Sequence, residues 1–389
     1  MHVPDVAIAG LGMTELGKVY DRSSAQFGID AIRLAAEDAG IGIPDIDGLL
    51  INPGISGGID LQIQRALGLT DLGFAAQLQA FGSSAGAMVT QAALAIGAGM
   101  ASTVACVFAD APLRPSGSSG SAYADPAQRI RPGLAGLGAA GGALSPNAGY
   151  ALAARRHMDR YGTTSEQLGH VAVSTREWAV LNPLARFRDK ISVADHQDSR
   201  WIVEPLHLLD CCMVSNGGIA VLVTSGERAR DLRNPPVHVL GWGQGHPGYR
   251  EHGGSEFGLV TGAAQSGRTA LGMAGLRPAD VGIREIYDCY TYTTLVTLED
   301  YGFCAKGEGG QLASSGALGP GGSLPTNTGG GQLSSYYMWG MTPLSEAVLQ
   351  ARGHGGQRQV ADNDVVLVSG NGGILDHHST LLLSPHARS

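Results

Sequence analysis

Charge is scarce in this sequence. Only 15% of its 389 residues are charged, against 43% hydrophobic, so much of the chain must be buried against itself or a partner. A basic excess is also missing: 26 Lys and Arg face 34 Asp and Glu, for a formal net charge of −8. That argues against nucleic acid or an anionic membrane surface as the main partner. No stretch reaches the ~18 uninterrupted apolar residues of a membrane span. The opening residues MHVPDVAIAGLG lack the basic start and cleavage site of a secretory signal. Five cysteines, Cys106, Cys211, Cys212, Cys289 and Cys304, form no CxxC or Cys/His zinc pattern. An odd number in a large chain suits a reducing compartment. The expectation is a metal-free, cytoplasmic protein with no membrane span.

Glycine is what the chain has in excess: 59 residues, roughly twice the average share of about 7%. These glycines follow no G-X-Y period and sit among apolar runs, which excludes collagen and a disordered linker. They point to many tight turns and to backbone packed close to ligand. The length suffices for a full core, as two domains or as one domain of two similar halves.

Short β-branched runs alternate with alanine-rich stretches, the pattern of an α/β protein. VAIAGLG near residue 7 reads as a strand, residues 23–41 as a helix stopped at Gly40, and 47–52 as a second strand. SAGAMVTQAALAIGA (84–98) reads as a buried helix and STVACVFA as the strand after it. From about 110 to 147 the text turns to Gly, Ser, Pro and Ala, a long loop or insertion. A second half then repeats the first. VHVLGWG echoes VAIAGLG, and AGLRPADVGIREIYD (274–288) echoes AGIGIPDIDGLLIN (39–52), with Gly275 and Gly40 as equivalent stops. Duplication of a βαβ-rich unit explains this order, and it divides the chain at about 1–230 and 231–389.

Several motifs carry chemistry on paper. GSSAG (82–86) and GISGG (54–58) fit G-x-S-x-G, with Ser84 or Ser56 as nucleophile and Asp364 with His377 or His378 as late partners. A chain this rich in glycine matches that pattern by chance, and no HGGG-like segment precedes either site. AGLGMTELG (9–17) resembles a dinucleotide fingerprint, but Glu15 stands where its third glycine belongs. His377 and His378 are adjacent on a strand pattern and so face opposite ways; one in a polar pocket and one exposed is the expectation. The pair in LLDCCMVSNGG reads as structural thiols. Tyr287, Tyr290, Tyr292 and Tyr301 crowd one stretch, and Tyr336 and Tyr337 lie in a glycine-rich turn. Such phenols serve core packing or act as acid and base near polar groups, and composition leaves both open.

The two-half organisation, GLLINPG, the glycine-rich turn before an alanine-rich helix and the tail VSGNGG together resemble the thiolase superfamily over nearly the whole chain. The likeness is closest to the lipid-transfer-protein or sterol-carrier-type branch. YDCYT (287–291) looks like that branch's His-Asp-Cys-Phe motif, and LEDYGFCAKGEGG followed by LPTNTGGGQLSSYY is similar to it too. The resemblance implies two βαβαβαββ halves of five-stranded sheets in a layered α-β-α-β-α sandwich, with a loop domain at about 111–200. It also implies a homodimer.

This sequence departs from the family at the residues that do thiolase chemistry. The nucleophilic cysteine's position holds Gly82, and the acid/base cysteine's holds Val368 or Ser369. The histidine after NTGGG is Tyr337, and the first residue of the four-residue motif is Tyr287. Without a thiolate the usual acyl-enzyme cannot form. The pattern resembles the steroid side-chain-cleaving aldolases, which generate a CoA-ester enolate by retro-aldol cleavage and work with a zinc-containing DUF35 protein. By this resemblance Tyr287 and Tyr337 are acid and base facing one cleft, with Tyr292 and Asp288 extending the network. Gly82, Gly370, Tyr336 and His377 would line the substrate, although Tyr336, next to Tyr337, is placed to pack away from it. No cofactor is implied beyond the CoA thioester itself, and any zinc would belong to the partner, in a heterotetramer of two copies of each chain. The alternatives are a thiolase-like acyltransferase using another nucleophile and a non-catalytic lipid-binding or scaffold subunit.

Overall fold

The computed structural model describes residues 3–117, 145–248 and 256–388, with isolated positions between 120 and 142. The glycine- and serine-rich stretch read as a long loop, and with it the start of the expected loop domain, falls mostly outside the described residues. The first half supplies five strands: β1 Val6–Met13, β2 Gly48–Asn52, β3 Phe74–Gln77, β4 Thr103–Asp110 and, later in the chain, β7 Gly217–Ser225. Between β4 and β7 lie a two-stranded ribbon, β5 Trp201–Val203 with β6 Leu206–His207, and helical segments. The second half supplies β8 Val237–Gly245, β9 Ile283–Glu285, β10 Val366–Gly372 and β11 His377–Ser384. The longer helices are α1 Ser24–Ala39, α2 Ser84–Gly97, α3 Pro146–Tyr161, α4 Ser165–Val180, α5 Ala263–Ala274, α6 Thr291–Tyr301 and α7 Met341–Ala351.

The strand order is β3-β2-β4-β7-β1, continuing through β8-β11-β10-β9. Each half therefore runs in the same order outward from its first strand. β7 is antiparallel to β1 and β4, as β11 is to β8 and β10. The halves join where β1 pairs antiparallel with β8 over two positions. The expected fifth strand of the second half is reduced to a single parallel bridge, Arg284 with Thr326, among the described residues. Pro325 beside it has no N–H to give to a ladder.

The layers follow from composition. α2 and α7 contact strands of both halves and form the central layer. A helix between two sheets has little solvent face and must be apolar or small nearly all round; α2 is alanine-rich and buries Ala85, Met88, Val89, Ala92 and Ala93 among others, with Leu94 exposed near its end. α1 covers the outer face of the first half and α5 that of the second. The result is the expected α-β-α-β-α sandwich.

The duplication is visible in detail. α1 ends on Gly40 and α5 on Gly275, both left-handed at φ 75° and 69°. Each is followed by a short 3-10 turn closed by an aspartate: Asp45 accepts from the Gly42 amide and Asp280 from the Arg277 amide, both at 2.8 Å. The glycines that suggested a dinucleotide fingerprint have another purpose. A Cβ at Gly10 or Gly12 would run into the Ala35 or Ala31 carbonyl of α1, and one at Gly241 or Gly243 into Ala270 or Ser266 of α5. They let an outer helix lie directly on a strand, and β1, antiparallel to both neighbours, is no dinucleotide-binding strand.

Candidate active site

Tyr287 lies just past β9, in the extended segment leading to α6. That segment is pinned from two sides: the Ile286 amide donates to Asn327 Oδ1 at 2.7 Å, and Thr293 Oγ1 donates to the Tyr287 carbonyl at 3.1 Å. Tyr337 follows a five-residue π-turn, Gly331–Ser335, and its amide donates to Ser215 Oγ at 3.0 Å. Asp288 ties the two segments together. Its carboxylate accepts from the Gln332 amide at 2.7 Å and the Leu333 amide at 3.4 Å, capping the turn that carries Tyr337. Gly331, at φ 54°, leaves room for that carboxylate. The two phenol oxygens consequently meet, 3.3 Å apart, although they lie 50 positions apart in the chain.

The floor of this cleft is backbone. Residues 80–83 lead into α2, and Gly340, Gly370 and Gly372 all pack their bare Cα atoms against the carbonyls of Ala80 and Gly82. Gly82 itself faces the Tyr287 ring and the Asn371 carbonyl. Strain collects here as well. Phe81, Trp339, Ile374 and Leu375 all hold positive φ, between 51° and 72°, a conformation disfavoured for such side chains and concentrated at functional sites. Phe81 stacks on His377 with ring centroids 6.1 Å apart and stands 6.2 Å from Trp339.

Other phenols and thiols surround the pair. Tyr150 of α3 accepts from Asn371 Nδ2 at 3.2 Å and packs on Tyr290, 4.5 Å between ring centroids. The Tyr290 hydroxyl donates to Asn147 Oδ1. Burial pushes Tyr287 and Tyr337 well above the usual phenol range. The neighbouring Tyr337 adds to the rise at Tyr287, and Cys212 and Cys289 add to it at Tyr337. All five thiols are likewise pushed up by burial. At neutral pH the cleft holds neutral phenols and neutral thiols, and no cysteine is poised as a thiolate.

The structure gathers some of the expected site residues and separates others. Tyr287, Tyr337, Gly82 and Gly370 share the cleft, and His377 stands at its rim against Phe81, half-buried and 3.0 Å from His246. Asp288 faces the π-turn rather than the phenol oxygens; burial raises its pKa to about 7 against the pull of the backbone amides. Tyr292 points elsewhere, donating to the Gly258 carbonyl at 2.5 Å and packing edge-on to His157. The Tyr336 hydroxyl pairs with Ser345 Oγ at 2.9 Å, away from the pair as its neighbour position suggested. His378 is buried, bonded to Ser369 Oγ at 2.8 Å and Tyr301 at 3.1 Å, and burial drops its pKa to about 3. The esterase triad does not assemble: Ser84 Oγ accepts from the Ala80 amide, and Asp364 pairs with His386 at the surface. Tyr150 and Asn371 were not singled out from sequence. Asn371 interrupts the glycines of VSGNGG, which was the available sign; Tyr150 had none.

This duplicated topology, with one cleft between its halves, defines a thiolase-fold protein. A family model described as "Thiolase C-terminal domain-like" matches residues 243–385. A "Steroid side-chain-cleaving aldolase" from Thermomonospora curvata is 38% identical, covering 94% of this chain and 95% of that protein. A "17-hydroxy-3-oxo-4-pregnene-20-carboxyl-CoA lyase" from Mycobacterium tuberculosis is 37% identical over 94% of this chain and 96% of its own length. Among solved structures, an "Ltp2-ChsH2(DUF35) aldolase" superposes with a TM-score of 0.87 at 37% identity, covering 98% of both chains. The chain belongs to the thiolase superfamily and, within it, to the family of these side-chain-cleaving aldolases. Among the described residues no helix is long and apolar enough to cross a membrane.

Proposed function

We propose that this chain is a carbon–carbon lyase, an aldolase that splits a β-hydroxyacyl-CoA by a retro-aldol reaction. The favoured substrate is a 17-hydroxy steroid whose side chain is carried as a CoA thioester, a reading supported by the names of the two relatives. Breaking the bond between the hydroxyl-bearing ring carbon and the thioester α-carbon leaves a 17-ketosteroid and propionyl-CoA.

The observation that carries this reading is the pair of phenols in hydrogen-bond reach. A phenolate base is costly where burial holds both groups neutral. A relay avoids it. The substrate hydroxyl gives its proton to one phenol oxygen while that phenol passes its own proton to the other. In the same concerted movement the second phenol gives up its own proton to the α-carbon as Cα–Cβ cleavage releases the enolate, so neither phenol carries an extra proton or a charge. Each tyrosine ends as it began, and the developing enolate is met by a hydrogen-bond donor throughout. Gly82, Gly370 and His377 are positions that would line the substrate.

The partner reading rests on the likeness to the Ltp2-ChsH2(DUF35) aldolase, whose name couples a DUF35 protein to its aldolase. For this chain it gives a DUF35 zinc-ribbon/OB-fold subunit, with zinc in that subunit, flanking a homodimer in the cytoplasm. A single-turnover assay with and without such a subunit tests both points. The expected products are ketone and propionyl-CoA in equal amounts, with no covalent mass shift on this chain. An acyl adduct overturns the aldolase reading; full activity of the isolated chain overturns the partner requirement.

A further inference from the structure

Gly82 was expected to line the substrate, but its geometry gives it a more specific task. A Cβ built there would stand 2.1 Å from Tyr287 Cε2 and 2.3 Å from Cζ, the carbon that bears the hydroxyl. The functional end of the ring, not its root, lies over this glycine. Residue 82 has no freedom to retreat. Its carbonyl is enclosed by Gly340 and Gly370, either of which would collide with it if given a Cβ, and the Asn371 carbonyl closes the remaining side. Ordinary van der Waals contact begins near 3.4 Å, so any side chain at 82 must drive the hydroxyl end of Tyr287 aside by roughly 1 Å, a misplacement of the size that costs about 100-fold in rate.

We infer that Gly82 is a positioning residue: the missing side chain is the clearance that seats the Tyr287 hydroxyl against Tyr337. Residue 82 and the Tyr287 phenol compete for one volume, so a nucleophilic side chain at the first and an acid/base phenol from the second exclude each other. The chemistry available to this cleft is then decided by which occupant holds that volume. The inference rests on the aldolase reading only for its catalytic consequence; the steric competition stands apart from it.

The test is a pair of double-mutant cycles. In the turnover assay, Gly82→Ala lowers kcat about 100-fold with KM changed far less, and Gly82→Ala/Tyr287→Phe is no slower than Tyr287→Phe alone, because the methyl acts through a hydroxyl already removed. Losses that multiply overturn the inference. In thermal unfolding, Gly82→Ala costs less in a Tyr287→Ala background than in the native one, because the ring is gone. An equal cost in both backgrounds shows that the Asn371 carbonyl alone demands glycine and also overturns it. Should Gly82→Ala fail to fold, recovery of folded protein in the Tyr287→Ala background supports the inference and continued failure rejects it. Absence of turnover in the native enzyme would sink the aldolase reading while leaving the unfolding cycle to decide this one.

Discussion

On the outer face of the first half, Gly10 and Gly12 of β1 lie under carbonyls of α1; on the second half, Gly241 and Gly243 of β8 lie under carbonyls of α5 in the same way. Where the halves meet, they differ. The first offers the backbone stretch through Gly82 that enters α2, with Tyr150 and Ser215 as supporting partners, and the second offers the paired phenols Tyr287 and Tyr337 and Asn371. Outer faces must only pack, and one solution serves twice. The cleft must perform chemistry, and there the two copies divide the work: one clears space at Gly82 and the other fills it with the Tyr287–Tyr337 pair.

Removing the phenols should have the largest effect. Tyr287→Phe and Tyr337→Phe keep the rings and lose only hydroxyls, so each is expected to reduce kcat by about 10²–10⁴-fold with little change in unfolding temperature. In a relay the double variant is scarcely worse than either single one. Near-native kcat in both single variants, measured on folded protein, returns the tyrosines to a packing role.

Next in size is the outer-face equivalence. Gly12→Ala and Gly243→Ala each press a methyl onto a helix carbonyl, and overpacking of this kind costs about 1–3 kcal/mol. Both should lower stability by similar amounts in chemical denaturation. If one is tolerated and the other is not, the two faces are not equivalent.

A smaller effect concerns pH. Burial raises both phenols above their ordinary value, so their neutral forms persist through pH 6–9 and relay-driven kcat is expected to stay level across that range. A phenolate base would instead make kcat rise about tenfold per pH unit below its pKa, and such a slope in the pH–rate profile rejects the relay. Asp288 adds an opposite signature in stability. Its folded pKa, about 7, is raised from 3.8, so its contribution favours the fold below about pH 4 and is lost as pH climbs toward 7. Asp288→Asn should flatten that part of the stability profile.

The smallest expected effect is none. With every thiol pushed up by burial, replacing each of the five cysteines by alanine in turn should leave the chemical step intact, whatever it does to packing. A folded variant that binds substrate but cannot turn it over would show a cysteine in the chemistry.

Much of the scaffold was legible because its signals are local. Gly40 and Gly275 announce helix ends by needing left-handed φ, and the repeated strand-and-glycine runs mark where helices lie on strands. The absence of cysteine at 82 and at 368–369 was readable against a family pattern and carried the chemistry away from acyl-enzyme formation. Tyr292 shows the limit: five residues from Tyr287, it follows the turn of α6 and ends on the Gly258 carbonyl. The reduction of the second half's fifth strand to a single bridge among the described residues was equally hidden, since the extent of a ladder depends on what lies beside the edge.

The duplicated α/β architecture and the loss of the thiolate are written in the chain locally, because caps, periodicity and residue identity act over a few positions. Which side chains share the cleft follows from long-range packing instead. Tyr287 reaches Tyr337 across 50 residues through Asp288 and the π-turn, Asn371 reaches Tyr150 across 221, and Gly82 matters through a ring more than two hundred residues away. Such contacts are set by the closing of two halves onto one buried layer, where backbone clearance in one half fixes the position of a hydroxyl in the other.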